Sequence, residues 1–203
     1  QVAVDHIGKD VLGAEDLALI EAADVVIVVT GLTAEDEGES LVGAADRVDL
    51  GLSEERVSLI QDAAAAKDRT IVVLEGGSAI TMGEWLADVE ALLMVWYPGQ
   101  MGGHAVADLL FGDANPSGKL PITFPTGLDQ LPPFDNESLE VTYDYFHGYR
   151  YVDRNGSTPE FPFGFGLSYT TFSVDNLRIS QTKATAGDVV RFIIDVRNTG
   201  LVA

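Results

Sequence analysis

The residues best suited to catalysis lie together in one loop, between Thr30 and Leu50. The loop carries a single basic residue, Arg47, and six acidic ones: Glu35, Asp36, Glu37, Glu39, Asp46 and Asp49. In a protein this acidic, composition by itself would explain the loop as a solvated surface. Crowded carboxylates, however, favour protonation of one of their number, and a carboxylic acid that keeps its proton near neutral pH can serve as a general acid. The loop is therefore the first candidate for a catalytic site.

Phosphate-binding and serine-hydrolase sites find no support in the sequence. Gly76-Gly77 and Gly102-Gly103 follow predicted strands, but neither pair forms the Gly-x-Gly-x-x-Gly spacing that holds a pyrophosphate, and tight turns explain both. The Gly-x-Ser-x-Gly motif of a nucleophilic serine is absent. These two classes of enzyme are therefore not favoured.

The sequence also gives no reason to expect a metal site, and no cofactor is implied. There is no cysteine, and the three histidines have no second ligand at a suitable spacing. The aromatic residues Trp85, Trp96 and Tyr97 are candidates for stacking on a sugar. Trp96 lies in an apolar segment, so we expect it in the core, with Tyr97 at the exposed end of the strand.

Composition narrows the classes of partner. The 203 residues include 32 acidic and 12 basic side chains, a net charge of −20, which argues against binding of nucleic acid. The hydrophobic share of 46% argues against disorder. No apolar run approaches the roughly 20 residues of a membrane span, and no signal peptide is visible. High acidity suits a saline or extracellular setting, so a secreted or periplasmic location is favoured over the cytoplasm.

Helices and apolar strands alternate through residues 1–124, which predicts an α/β domain with a mostly parallel sheet sandwiched by helices. The strand at 25–29 is an unbroken β-branched run, typical of a strand covered on both faces. Ligands of such sheets bind beyond the carboxyl ends of the strands, here the loops 30–50, 75–81 and 97–102. The predicted helices are 14–23, 53–67, 83–90 and 103–111, and the predicted strands are 25–29, 70–74, 91–96 and 119–124.

The pattern changes after residue 124. Residues 125–168 are rich in proline, glycine and aromatic residues and predict an irregular connecting segment. From residue 169 the pattern is all-β, with strands predicted at 171–177 and 189–196. Two strands cannot bury an apolar face by themselves, so residues 169–203 are expected to be a truncated β-domain. The chain, which has no initiator methionine, is expected to be a processed form or a piece of a longer protein.

Several segments, in this order, resemble family 3 of the glycoside hydrolases, the β-glucosidase family. The most specific are AVADLLFGD at 105–113, NPSGKLP at 115–121 and FPFGFGLSYTTF at 161–172. Further matches are ADVVIVVTGL at 23–32, DEGE at 36–39, DR at 46–47 and WYPGQ at 96–100 followed by Gly102-Gly103. The resemblance covers nearly the whole chain.

This resemblance implies a division of labour between domains. Members of the family combine an N-terminal barrel that carries an Asp nucleophile, an α/β sandwich domain whose loop carries a Glu acid/base, and often a fibronectin III-like module. They cleave terminal β-linked sugars with retention of configuration. The chain resembles the sandwich domain (1–124), the connecting segment (125–168) and a truncated fibronectin III-like domain (169–203). The implied partners are a β-linked oligosaccharide or β-glucoside substrate and an N-terminal barrel, on another chain or in a missing region.

The resemblance identifies Glu37 as the candidate acid/base. In the family this residue often stands in a Glu-Gly-x-Asp-Arg pattern; here Glu37-Gly38 fits, but residues 39–45 separate it from Asp46-Arg47, as in members with a longer loop. Glu39 and Glu35 rank behind Glu37, and Asp46 and Arg47 are expected to brace the loop.

Two other functions stay open. One is a carbohydrate-binding or scaffolding fragment of the same fold without catalysis. The other is a nucleotide-binding Rossmann-like domain, which the strand and helix alternation alone suggests and the missing glycine-rich fingerprint argues against.

Overall fold

A computed structural model describes residues 3–38, 47, 49–133, 135 and 138–202. The chain forms two compact units, one of Gln1–Gly103 with Leu120–Phe165 and one of His104–Lys119 with Gly166–Ala203. The elements, in chain order, are α1 (Ala14–Ala22), β1 (Val26–Gly31), α2 (Glu54–Ala66), β2 (Thr70–Glu75), β3 (Ala91–Trp96), α3 (Gly102–Phe111), α4 (Tyr149–Asn155), β4 (Phe172–Ile179) and β5 (Phe192–Asn198), with short 3-10 turns at Leu86–Asp88 and Leu128–Gln130.

The first unit contains a parallel three-stranded sheet in the order β1-β2-β3. Helix α2 begins after Ser53, whose hydroxyl accepts a hydrogen bond from the Arg56 amide, and two glutamates in its first turn complement the helix dipole. Ile60 of this helix packs against Val28 and Val72 of the sheet in the hydrophobic core. This α/β arrangement, followed by a small antiparallel sheet, confirms the predicted fold class.

The prediction that the first strand is covered on both faces is wrong. Val28 is 7% exposed, whereas its neighbours Ile27 and Val29 are 44% and 62% exposed. Side chains alternate between the two faces of a strand, and the core residues of α1 and α2 pack on the face of Val28. The apolar run therefore predicted the strand correctly, but it did not predict how many of the strand's faces are covered.

Two predicted elements of the first unit are absent. In place of a helix at 83–90 there is only the 3-10 turn, because the amide of Glu90 already bonds to the Thr70 carbonyl and the chain is extended towards β3. The predicted strand at 119–124 does not join the parallel sheet. Its backbone instead bonds to the segment 161–165, through Leu120 to Phe165 and Phe124 to Phe161, and prolines at 121 and 125 remove donors that a strand would need.

The segment predicted to be irregular contains a regular α-helix, α4. This helix lies between Gly148 and Gly156, which both have positive φ angles, and its Val152 is buried. The flanking glycines allow the chain to enter and leave such a short helix abruptly.

The second unit combines most of α3 with the antiparallel pair β4 and β5. Asn115 joins two of the family-like motifs, because its Oδ1 accepts hydrogen bonds from the Ser168 hydroxyl and the Tyr169 amide, both at 2.9 Å. None of the helices in the described ranges is long and apolar enough to cross a membrane.

Candidate active site

Three successive loops of the first unit bring their residues to one place. Strands β1, β2 and β3 are parallel neighbours, so their carboxyl ends lie at the same edge of the sheet. Glu37 follows β1, Gly77 follows β2 and Tyr97 follows β3. These three residues and Ala34 line a cavity of about 540 Å³. The three loops expected to carry the chemistry therefore meet.

The carboxylate of Glu37 is held through one of its two oxygens. Oε1 accepts a hydrogen bond from the backbone amide of Gly77 at 2.7 Å and one from the Tyr97 hydroxyl at 3.1 Å. Among the described residues no hydrogen-bond partner lies at Oε2. The side chain is thus fixed in direction by the bonds to Oε1, and the residue as a whole lines the cavity.

A compact turn over residues 33–38 determines where Glu37 stands. The Asp36 carboxylate accepts hydrogen bonds from the amide and hydroxyl of Thr33, both at 2.7 Å, and the Thr33 hydroxyl accepts one from the Asp36 amide at 3.3 Å. The Glu37 amide then bonds to the Thr33 carbonyl at 3.1 Å. This reciprocal pattern is that of a capping box, which begins a helical turn. It carries Glu37 back towards β2.

Helix α2 anchors this turn to the core. Arg56 forms an ion pair with the Asp36 carboxylate, with an N–O distance of 2.9 Å. The hydrogen bond from Arg56 and those from Thr33 lower the pKa of Asp36 from 3.8 to about 2, against the opposing effect of partial burial. Asp36 is therefore ionised at neutral pH, and its role is to position the turn.

An irregularity at the end of β3 directs Tyr97. The pairing of β2 with β3 shifts register there, so that Glu75 lies opposite Trp96, and Trp96 has a φ of 55°. Such bulges turn a strand and re-aim the side chains that follow. The Gly76 amide bonds to the Trp96 carbonyl at 3.4 Å, which joins the second and third loops.

Gly77 contributes its backbone amide to the site, a role that the sequence did not indicate. A Cβ atom at this position would lie 3.1 Å from Oε2 of Glu37 and 3.0 Å from the ring of Tyr97. The lack of a side chain therefore lets the backbone amide approach the carboxylate. The sequence predicts only a tight turn at Gly76-Gly77, and the position of this pair after the middle strand is the signal that points to the site.

The Tyr97 hydroxyl is a donor in this arrangement. Loss of hydration at the hydroxyl, followed by the hydrogen bond to Glu37 and the carboxylate's charge, raises the pKa of Tyr97, although the Gly77 backbone and the Arg47 charge oppose this. The residue as a whole is 52% exposed, but its hydroxyl end is the part turned to Glu37 and the Leu32 carbonyl. The phenol therefore stays protonated at neutral pH.

The other aromatic candidates occupy different environments. Trp85 is 1% exposed and cannot stack on a sugar. Trp96 is half-buried and packs against the core, with its ring 6.0 Å from that of Phe124 in an edge contact. The expected core position of Trp96 is thus partly correct, and residues 97–100 are exposed as predicted.

Among the other candidate residues of the first loop, the structure describes Arg47 and Glu35. Arg47 donates hydrogen bonds to the Ser78 hydroxyl at 2.9 Å and the Gly51 carbonyl at 3.3 Å, so it ties the end of the first loop to the second. Glu35 is exposed on the same turn as Glu37. Glu39 and Asp46 lie outside the described residues. Within the described ranges, no group of three potential ligands converges on a metal site.

The chain is similar in sequence to a known family and to proteins of known name. Residues 5–169 match the profile of the glycosyl hydrolase family 3 C-terminal domain. A protein named probable β-glucosidase I, from Aspergillus niger, is 37% identical over 213 residues, which cover 99% of this chain and 25% of the relative. The chain thus spans about a quarter of the length of the curated relatives it matches.

The chain is also similar to solved structures. A GH3 β-glucosidase from Bifidobacterium adolescentis superposes with a TM-score of 0.80 at 34% identity, over 92% of this chain and 27% of that one. The β-glucosidase from Kluyveromyces marxianus in complex with glucose superposes with a TM-score of 0.78 at 37% identity, over 91% and 22% of the two chains.

Proposed function

Because this chain belongs to glycosyl hydrolase family 3, whose C-terminal domain it matches, we propose that it is the C-terminal part of a retaining β-glycosidase in which Glu37 is the general acid/base. The enzyme would be of the β-glucosidase or exo-β-glucanase type, acting on a β-glucoside or a β-linked oligosaccharide. The observation that supports this role is the position of Glu37, which lines a cavity at the meeting point of three loops and has its carboxylate held there by two donors to Oε1.

The reaction would take two steps that share one proton site. In the first, Glu37 gives its proton to the glycosidic oxygen as the bond to the anomeric carbon breaks, while an Asp of an N-terminal barrel domain attacks that carbon. In the second, the Glu37 carboxylate takes a proton from water as the water oxygen displaces the Asp. Retaining enzymes place the two carboxyl groups about 5–5.5 Å apart, so the barrel must approach this cavity closely.

The test is Glu37→Ala in the complete protein. We expect kcat on substrates with poor leaving groups to fall by about 10²–10⁴, the usual contribution of a general acid. Substrates with a dinitrophenolate leaving group should lose little in the first step, because that group departs without a proton. Azide should restore turnover and yield a β-glycosyl azide, since it attacks without the help of a base.

Two neighbouring glutamates provide controls. Glu35→Ala and Glu39→Ala should show smaller losses and no azide rescue. If azide rescued Glu39→Ala and the activity of Glu37→Ala stayed near wild type, the general acid/base would be Glu39. A complete protein without glycosidase activity on aryl β-glucosides would instead favour the non-catalytic binding or scaffolding function.

A further inference from the structure

The two oxygens of Glu37 are not equivalent in this site. Oε1 accepts two hydrogen bonds, from Gly77 and Tyr97, whereas the described residues place none on Oε2. A protonated carboxyl group carries its hydrogen on one oxygen only. With two donors aimed at Oε1, the hydrogen of the acid form belongs on Oε2.

We propose that Tyr97 is a positioning residue that, with the Gly77 amide, reserves Oε1 of Glu37 as an acceptor and thereby makes Oε2 the atom that gives and takes the proton. This inference rests on the proposed acid/base role of Glu37. It adds a residue on a different loop, after β3, to the machinery that the first loop carries.

The chemistry of the first step explains what Tyr97 contributes. As the glycosidic bond breaks, the proton passes from Oε2 to the departing oxygen and negative charge develops on the carboxylate. Two donors already in place at Oε1 stabilise that charge without rearrangement. In the second step the same oxygen, Oε2, receives the proton from water, and the two bonds to Oε1 persist.

Three features make Tyr97 suitable as a fixed donor. Its single hydroxyl hydrogen has a nearer and charged acceptor in Oε1 of Glu37, at 3.1 Å, than in the Leu32 carbonyl, at 3.4 Å. The raised pKa of Tyr97 keeps the phenol protonated. The bulge at Trp96, with its φ of 55°, sets the direction of the following side chain, and a strained backbone of this kind is retained where it serves a site.

The experiment compares Tyr97→Phe with Tyr169→Phe in the complete enzyme. Tyr169 is a matched control because it is 51% exposed, against 52% for Tyr97, and its hydroxyl also donates a hydrogen bond, to the Leu109 carbonyl in the second unit. For Tyr97→Phe we expect kcat/KM on phenyl β-glucoside to fall about 10-fold, the order of one hydrogen bond to a charged group. Activity on dinitrophenyl β-glucoside and that of Tyr169→Phe should stay near wild type.

The dependence on the leaving group separates positioning from simple support of the fold. If Tyr97 stabilises the Glu37 carboxylate as its proton leaves, Tyr97→Phe should lower kcat/KM more for phenolate, which needs a proton, than for dinitrophenolate. A variant that merely loosened the fold would lower kcat/KM equally on both substrates. Equal losses on phenyl and dinitrophenyl β-glucoside would overturn the proposal.

A double-mutant cycle distinguishes this inference from the function on which it rests. In the Glu37→Ala background, Tyr97→Phe should have no further effect on turnover or azide rescue, because its target is gone. An equal loss in both backgrounds, or a raised KM at unchanged kcat, would make Tyr97 a sugar contact and overturn the inference while leaving Glu37 as acid/base. Absence of azide rescue in Glu37→Ala itself would overturn the proposed function.

Discussion

At the scale of single residues, the site depends on a carboxylate that takes no part in the chemistry. Asp36 binds Thr33 and Arg56, and these contacts form the turn that presents Glu37. Two adjacent acids thus have different tasks, one structural and one proposed as catalytic. Their environments separate them: Asp36 has the Arg56 cation and two Thr33 donors around one oxygen, whereas Glu37 has two neutral donors.

The acid stability of the protein should report on Asp36. Its pKa is lowered from 3.8 to about 2, so its ionised form stabilises the fold above pH 3.8 and this contribution is lost as the pH falls towards 2. The free energy of unfolding, measured by denaturant titration between pH 5 and 2, should therefore fall more steeply in this window for the wild type than for Asp36→Asn.

A variant of Arg56, the partner of Asp36, gives a second measurement of this loss of stability in acid. Arg56→Gln removes the largest cause of the lowered pKa of Asp36, so the loss of stability in acid should be smaller than in the wild type and complete at a higher pH. On the proposed role of Glu37, Asp36→Asn and Arg56→Gln should also lower the turnover of the complete protein, because both changes loosen the turn that carries Glu37. Equal slopes in the wild type and Asp36→Asn would show that the ion pair does not contribute to stability.

At the scale of elements, the two tryptophans near β3 differ in what they support. Trp85 is 1% exposed and lies in the core before the 3-10 turn, whereas Trp96 ends β3 and is half-buried. Trp85→Ala should therefore cost about 3–5 kcal/mol, the usual penalty for emptying a large aromatic site. Trp96→Ala should cost less, because part of its ring is already in contact with water.

Calorimetry of the complete protein measures this difference as two melting temperatures. The lower Tm is expected for Trp85→Ala. The Trp96 variant should in addition lose turnover, since the bulge that directs Tyr97 includes this residue. A Trp96→Ala variant with the lower Tm of the two would mean that Trp96, rather than Trp85, is the main aromatic anchor of the core.

At the scale of the whole molecule, the two units differ in how much they bury. Strand β2 lies between two others, and four of its six residues are buried. The pair β4 and β5 exposes residues on both faces, among them the adjacent Phe192 and Ile193 of β5. A two-stranded sheet with no covered face is marginally stable in water.

Hydrogen exchange of the chain 1–203 should show this contrast directly. Amides of Phe192–Asn198 should exchange orders of magnitude faster than those of Thr70–Glu75 in the same sample, because local opening of β5 costs little. Mass spectrometry of peptides from the two strands measures both rates at once. Uniform protection through both strands would mean that β5 is covered, and would contradict the prediction of a truncated β-domain after residue 169.

Local patterns in the sequence predicted the strands and the helix that surround the site, and they singled out Glu37. Apolar runs located the three parallel strands, Ser53 located the start of α2, and the order of the loops predicted where side chains would meet. Glu37 came from the resemblance of its motif, and its catalytic role stays a prediction. These features are encoded within a few neighbouring residues, which is why they can be recognised without the fold.

The tertiary structure alone decided which atoms face each other. That Gly77 and Tyr97 both donate to Oε1 of Glu37 depends on the turn anchored by Arg56 and on the bulge at Trp96, and each joins residues about 20 positions or more apart. The pairing of Phe124 with Phe161 and the exposed face of β1 have the same origin. An apolar residue or a glycine specifies only its own preference, whereas its partner is chosen by the packing of the whole unit.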